Sequence, residues 1–355
     1  MNVTDFEYEL PSDLIAQHPP EVRGESRLLV LDRSSEAITH ARFRHLPERL
    51  RPSDLMVLND TRVFAARLIG RRVASGGQVE CLLLRQLDGD HWEALVHPGR
   101  KLRPGSRIEF VARAESLRGS AGPSLQAEIL EQRFFGRRVI RLWTEGPESV
   151  EAIIDAIGHV PLPPYIKRAD ALDDRTRYQT VYAGARGSVA APTAGLHFTD
   201  DMLASLERRG VEHASLTLHV GYGTFKPVRV ERVEDHEIDP EPFELSSSAA
   251  SAVNRAMDEG RRVLAVGTTT TRALETAARA DGRVMAGRST TDLFIYPGFE
   301  FRVVGALLTN FHLPRSSLLM LVAAFAGRER VLAAYCEAVR EQYRFYSYGD
   351  AMLIL

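Results

Sequence analysis

Five short runs of this chain carry the side chains that chemistry needs. Gly187-Ser-Val-Ala-Ala-Pro-Thr-Ala-Gly-Leu-His197-Phe-Thr199 combines small residues, hydroxyls and one histidine, and is too turn-rich for a helix or strand. Small-residue loops let a backbone approach a ligand closely, and an imidazole serves as acid or base near neutral pH. The competing reading is a tight connection between two packed elements. The other runs are Asn59-Asp60-Thr61-Arg62, His219-Val-Gly221-Tyr-Gly223-Thr224, Gly267-Thr-Thr-Thr-Thr-Arg272 and Thr309-Asn310-Phe-His312-Leu-Pro-Arg315. His197, His219, His312, Asp60 and Glu275 are the candidate acids and bases, and each histidine can equally be structural. Arg62, Arg272 and Arg315 can clamp a carboxylate or phosphate, or merely pair with a surface acid. Asn310 is open to either use.

These runs must be positioned by elements, and the pattern supplies them. Leu55–Leu58, Leu216–Val220, Arg262–Val266 and Gly305–Leu308 read as strands, each delivering one run at its carboxyl end. Open α/β sheets bind ligands outside those ends, where helix N-termini offer unpaired N–H groups. Helices are expected after Thr199 (a natural N-cap), from Ser246 to Glu259, from Gly267 through Ala278, and from Pro314 at the first helical position to Ala326. Arg27–Leu31 and Ala37–Phe43 form a predicted hairpin, followed by a short helix at Leu46–Leu50.

Residues 63–145 have a different texture. Short strands at Val79–Leu84, Trp92–Val96, Arg107–Val111, Leu125–Leu130 and Arg138–Trp143 alternate with Gly- and Pro-containing turns and no helix. That spacing predicts a small barrel or sandwich inserted into an α/β domain made of 1–62 and 146–355. A helix at Glu148–Ile157 and a proline-rich connector, Val160–Arg168, follow it.

The 355 residues, 44% hydrophobic and 26% charged, are those of an ordinary soluble chain. Cys81 and Cys336 have no partner at metal or redox spacing, and no apolar run spans a bilayer, so a cytoplasmic protein without metal is expected. The net charge of −2 speaks against a generic nucleic-acid coat, although arginines cluster at Arg62–Arg72, Arg133–Arg141 and Lys167–Arg177. Dinucleotide, Walker, zinc and nucleophile-elbow motifs are absent. The residues alone thus give an α/β enzyme for a small polar ligand, with a basic face for a larger partner.

Longer strings carry a resemblance. Tyr8-Glu-Leu-Pro-Ser-Asp-Leu-Ile-Ala-Gln-His-Pro19, Val57-Leu-Asn-Asp-Thr-Arg62, Gly158-His-Val-Pro-Leu-Pro-Pro-Tyr-Ile-Lys-Arg168, Gly187–Thr199, Thr217–Phe225, His236-Glu-Ile-Asp-Pro-Glu241, Asn310–Pro314 and Tyr348-Gly-Asp-Ala-Met352 resemble the S-adenosylmethionine:tRNA ribosyltransferase-isomerases of queuosine biosynthesis. The match spans nearly the whole chain. One departure is Thr268–Thr271, where a serine is expected among the threonines.

The resemblance implies an α/β domain interrupted by a small β-barrel. It also implies transfer of the ribosyl group of S-adenosylmethionine to the 7-aminomethyl-7-deazaguanine wobble base of tRNA. The ribose rearranges to give epoxyqueuosine, with release of adenine and methionine. S-adenosylmethionine is then a consumed co-substrate, no further cofactor is needed, and a monomer is expected. A base must deprotonate the carbon beside the sulfonium, and another group must assist adenine as it leaves. His197, His219 and Asp60 are the catalytic candidates. Arg62, Gly195, Gly221, Gly223, Thr268, Thr269, Arg272, Asn310 and His312 are the candidate substrate contacts. Arg137, Arg138, Lys167, Arg168 and Arg177 are the candidate tRNA contacts. Two alternatives stand beside this reading: a transferase acting on a free nucleoside or sugar phosphate, and a non-catalytic tRNA-binding protein.

Overall fold

Leu55–Asn59 is buried at every position, with Leu55 and Val57 in one hydrophobic core and Met56 and Leu58 in another. Arg27–Leu31 repeats the division, Leu29 and Leu31 against Leu28 and Val30. A strand covered on both faces needs no polar side, which is why Leu55–Leu58 and Leu28–Leu31 are uniformly apolar. The computed structural model describes residues 1–111 and 123–355.

The central sheet has nine strands, in the order Gly287–Thr291, Glu241–Leu245, Glu212–Leu218, Leu55–Asn59, Val263–Val266, Ala306–Asn310, Ala351–Ile354, Arg27–Leu31 and Ile38–Arg42. The four strands from Glu212–Leu218 to Ala306–Asn310 are mutually parallel. Ala351–Ile354 runs antiparallel to its neighbour Ala306–Asn310, and both edges of the sheet close with antiparallel strands. Helices Ser247–Asp258, Thr268–Ala277, Ser317–Ala326 and Arg328–Arg340 cover one face. Leu46–Arg49 and Asp200–Arg208 cover the other.

Six antiparallel strands, Arg67–Arg72, Gln78–Asp88, His91–His97, Arg107–Val111, Ser124–Gln132 and Arg137–Trp143, close into a barrel. Inward side chains alternate along them, as Val79, Cys81 and Leu83 do, each fully buried. The fold is therefore α/β with a smaller inserted all-β barrel. Phe64, Val189 and Ile153, Ile154 and Ile157 of the helix Val150–Ile157 complete the barrel's core from outside its strands.

Several local expectations shift. Thr309 and Asn310 belong to the strand, not to the loop after it. The helix after Pro314 begins at Ser317, because the Ser316 hydroxyl caps the Leu319 N–H at 3.3 Å and Arg315 takes a left-handed φ of 58°. Thr199 caps Met202 as its type predicts, at 3.2 Å. The strand before His219 ends at Leu218.

Candidate active site

Because the four parallel strands share a direction, their carboxyl ends deliver the predicted loops to one edge of the sheet. There the loops after three of them, joined by Ala190–Ala194, enclose a cleft of about 580 Å³, counted to its open mouth, whereas Asn59–Arg62 lies outside it. Ala190–Ala194 form one wall, and Gly267–Thr269 and Thr309–His312 the others. Among the described residues no charged side chain lines it.

The threonine run divides by function. Thr270 and Thr271 turn back to the carbonyls of Val266 and Gly267, at 2.7 and 3.1 Å, while Thr268 and Thr269 line the cleft. Gly267 opens this helix at φ 97°, a conformation that suits glycine alone among ordinary residues. The helix N-terminus thereby faces the cleft with its unpaired N–H groups.

His312 lines the cleft with its Nε2 2.8 Å from Thr309 Oγ1, and burial pushes its pKa down to about 3. His197 does not reach the cleft. It lies behind Asn310, stacked on Phe43, with Nδ1 2.9 Å from Ser26 Oγ and Nε2 3.1 Å from Asn310 Nδ2. Burial first, then Arg23 and Arg344, lower its pKa to about 3. Both ring nitrogens are engaged inside the protein, so the proton-transfer role expected of His197 is replaced by a packing and hydrogen-bonding one.

Arg272 is also corrected. Its guanidinium is 2.7 Å from Glu241, both side chains buried, and it donates to the carbonyls of Leu293 and Thr291. Three of its five N–H groups are thereby used inside the protein, and its charge is matched by Glu241 rather than left for a substrate anion. Glu241 instead uses its other oxygen to hold the Gly221 N–H at 2.8 Å, tying the Gly221–Thr224 loop to the helix that carries Thr268. Glu275 accepts the N–H groups of Arg302, Val303 and Val304, a structural use of the carboxylate. Arg315 pairs with Glu7.

His219 is half-buried, with Nδ1 2.8 Å from Thr61 Oγ1. Burial lowers its pKa, and nearby Asp60 opposes that effect. Asp60 accepts from Thr217 Oγ1 at 2.6 Å. Thr61–Val63 pairs with Ala185–Ser188, so Arg62 and Arg186 meet at a second cavity of about 710 Å³ by the same measure, shared with Asp155, Arg175, Tyr178 and Gln179. Glycine is required at 187 and 195 by packing. A Cβ at Gly187 would lie 2.8 Å from the His219 ring, and one at Gly195 would lie 2.1 Å from the Tyr182 hydroxyl. Gly195 thus serves Tyr182, and neither it, Gly221 nor Gly223 lines the cleft.

The expected basic face is neutralised only in part. Arg138 is buried and donates to the carbonyls of Leu102 and Gly99, which removes it from the tRNA contacts. Arg137 pairs with Asp239, Arg168 binds Asp174 through two nitrogens, and Arg177 donates to the carbonyls of Pro20 and Glu21. Within the three arginine clusters, Arg62, Arg71, Lys167 and Arg175 are exposed and enter no ion pair.

Sequence reading missed Tyr165 and Tyr346, whose rings lie 3.8 Å apart at the cleft. It also missed Ser26 and Glu241 as site supports. Tyr165 sits in the proline-rich connector, where a lone aromatic gives no periodic signal.

Comparison with known proteins agrees with this architecture. A family model described as "Queuosine biosynthesis protein" matches residues 3–354. Proteins named S-adenosylmethionine:tRNA ribosyltransferase-isomerase from Heliobacterium modesticaldum and Symbiobacterium thermophilum are 52% and 51% identical, each aligned over the full length of both chains. The crystal structure of an S-adenosylmethionine tRNA ribosyltransferase from Thermotoga maritima is 37% identical, with a TM-score of 0.54, covering 99% of this chain and 100% of that one. An α/β sheet carrying an inserted barrel, a cleft at its carboxyl edge and a family match from residue 3 to 354 together make this chain a member of the queuosine biosynthesis protein family.

Proposed function

We propose that this chain is an S-adenosylmethionine:tRNA ribosyltransferase-isomerase, acting on the 7-aminomethyl-7-deazaguanine wobble base of tRNA. The observation that carries the reading is full-length similarity at about half identity to relatives of that name. The cleft is assigned to S-adenosylmethionine. Its lining holds no cation to repel a sulfonium, since Arg272 behind it is neutralised by Glu241. The helix N-terminus at Gly267–Thr269 suits the methionyl carboxylate. His312 presents a neutral imidazole there, and the Tyr165–Tyr346 pair offers ring faces for a purine.

The second cavity, with Arg62 and Arg186, is assigned to the tRNA side of the reaction. His219 and Asp60 adjoin it through Thr61 and Arg62, and they are the proton-transfer pair for the incoming amine. Lys167 and Arg62 are the phosphate contacts in this scheme, which position the tRNA without reading its sequence.

Chromatography of the reaction tests the chemistry. Adenine and methionine must appear in equal amounts, and only when substrate tRNA is present. S-adenosylhomocysteine as the product would mean methyl transfer and would overturn the reading.

A further inference from the structure

The Asn310 amide has only one orientation open to it. Its Nδ2 lies 3.1 Å from the Tyr346 carbonyl and 3.5 Å from the Asp350 carbonyl, and carbonyl oxygens only accept. The atom facing them must therefore be the NH₂ group. The same nitrogen lies 3.1 Å from His197 Nε2, which must then be the unprotonated, accepting nitrogen. The ring proton is left on Nδ1, 2.9 Å from Ser26 Oγ. Ser26, His197 and the two carbonyls thus form a fixed cradle for one amide.

Asn310 Oδ1 is the remainder of that arrangement. The side chain is 2% exposed, and Oδ1 accepts no hydrogen bond. Asn310 lines the cleft, whereas His197 and Asp350, which hold its nitrogen, do not. A buried acceptor without a donor is costly, and a site built around one discriminates strongly for a ligand that supplies the donor.

We propose that Asn310 Oδ1 is the specificity acceptor for a neutral O–H or N–H donor on the adenosyl part of S-adenosylmethionine, with His197 and Ser26 as its positioning residues. This rests on the functional reading above. The donor is neutral because no carboxylate lines the cleft to share an ammonium with the amide. The adenosyl part is favoured because Tyr165, Tyr346 and Phe311 flank Asn310. Two sources share the chemistry, the adenine amine and the ribose hydroxyls.

Analogues separate them. The S-inosyl analogue replaces the amine with an oxo group, and the 2′-deoxy and 3′-deoxy analogues remove one hydroxyl each. The wild-type protein should lose roughly ten- to a hundredfold in kcat/KM with one of these, mostly through KM, and Asn310→Ala should abolish that preference. Equal losses for all analogues, or a preference that survives Asn310→Ala, would overturn the proposal. Should the variant not fold, ¹⁵N spectra of wild-type His197 decide. A protonated Nδ1 and bare Nε2, unchanged from pH 8 to pH 5, are expected; an Nε2–H tautomer or titration in that range excludes the cradle. A wild-type protein that turns over no S-adenosylmethionine at all is a failure of the functional reading, recognisable as such because every analogue arm is then silent.

Discussion

His197 and His312 are buried neutral imidazoles, each with its pKa lowered from 6.5 to about 3 by burial. The native state then binds fewer protons than the unfolded chain between those values, so stability rises with pH up to about 6.5 and is lost as pH falls below it. Each histidine contributes a slope of about 1.4 kcal/mol per pH unit in that window. Urea melts from pH 5 to 6.5 should therefore give a shallower profile for His197→Phe, which keeps a ring against Phe43. Parallel profiles for the variant and the wild type would contradict the assignment. In the sequence the loop histidines look alike, because type and spacing show that an imidazole is near a loop. They do not show that Ser26, Phe43 and Asn310 close around one of them while His219 stays half-exposed. The same limit explains Arg272 and Arg138, whose charge was legible and whose burial was not.

Between elements, the Arg272–Glu241 pair holds the helix Thr268–Ala277 against the Gly221–Thr224 loop. Glu241→Gln leaves a buried guanidinium without its counter-charge, and denaturant melts should show a loss of roughly 3–5 kcal/mol. A loss below about 1 kcal/mol would mean that solvent reaches the pair. Gly267→Ala forces a side chain into the left-handed region at the start of the same helix. At φ 97° and ψ 152° it should cost about 1–3 kcal/mol and raise KM for S-adenosylmethionine, read from melts and initial rates. Turnover with an unchanged KM would detach this helix terminus from the substrate. Elements with strong local patterns were readable in advance, such as the uniformly apolar Leu55–Leu58 and the alternating barrel strands. Arg67–Arg72 escaped because arginines and Gly70 interrupt its pattern, and Gly70 is needed where a Cβ would lie 2.2 Å from the Glu109 carbonyl. The edge strand Gly287–Thr291, exposed at four of five positions, carries no apolar signal at all.

For the molecule as a whole, ion pairing removes part of the basic face and leaves Arg62, Arg71, Lys167 and Arg175 exposed without a counter-charge. tRNA affinity should still fall steeply with salt. Arg62→Ala and Lys167→Ala should each lower the slope of log affinity against log salt by about one, measured by filter binding. Unchanged slopes would move the tRNA to another surface. The central claim is ribosyl transfer to tRNA by a cleft at the carboxyl edge of the sheet. Its most direct test is a reaction with S-adenosylmethionine labelled in the ribose and tRNA carrying the aminomethyl-deazaguanine. Label in the tRNA, matched by released adenine and methionine, is the predicted result; folded protein that binds both substrates and leaves the tRNA unlabelled would contradict it.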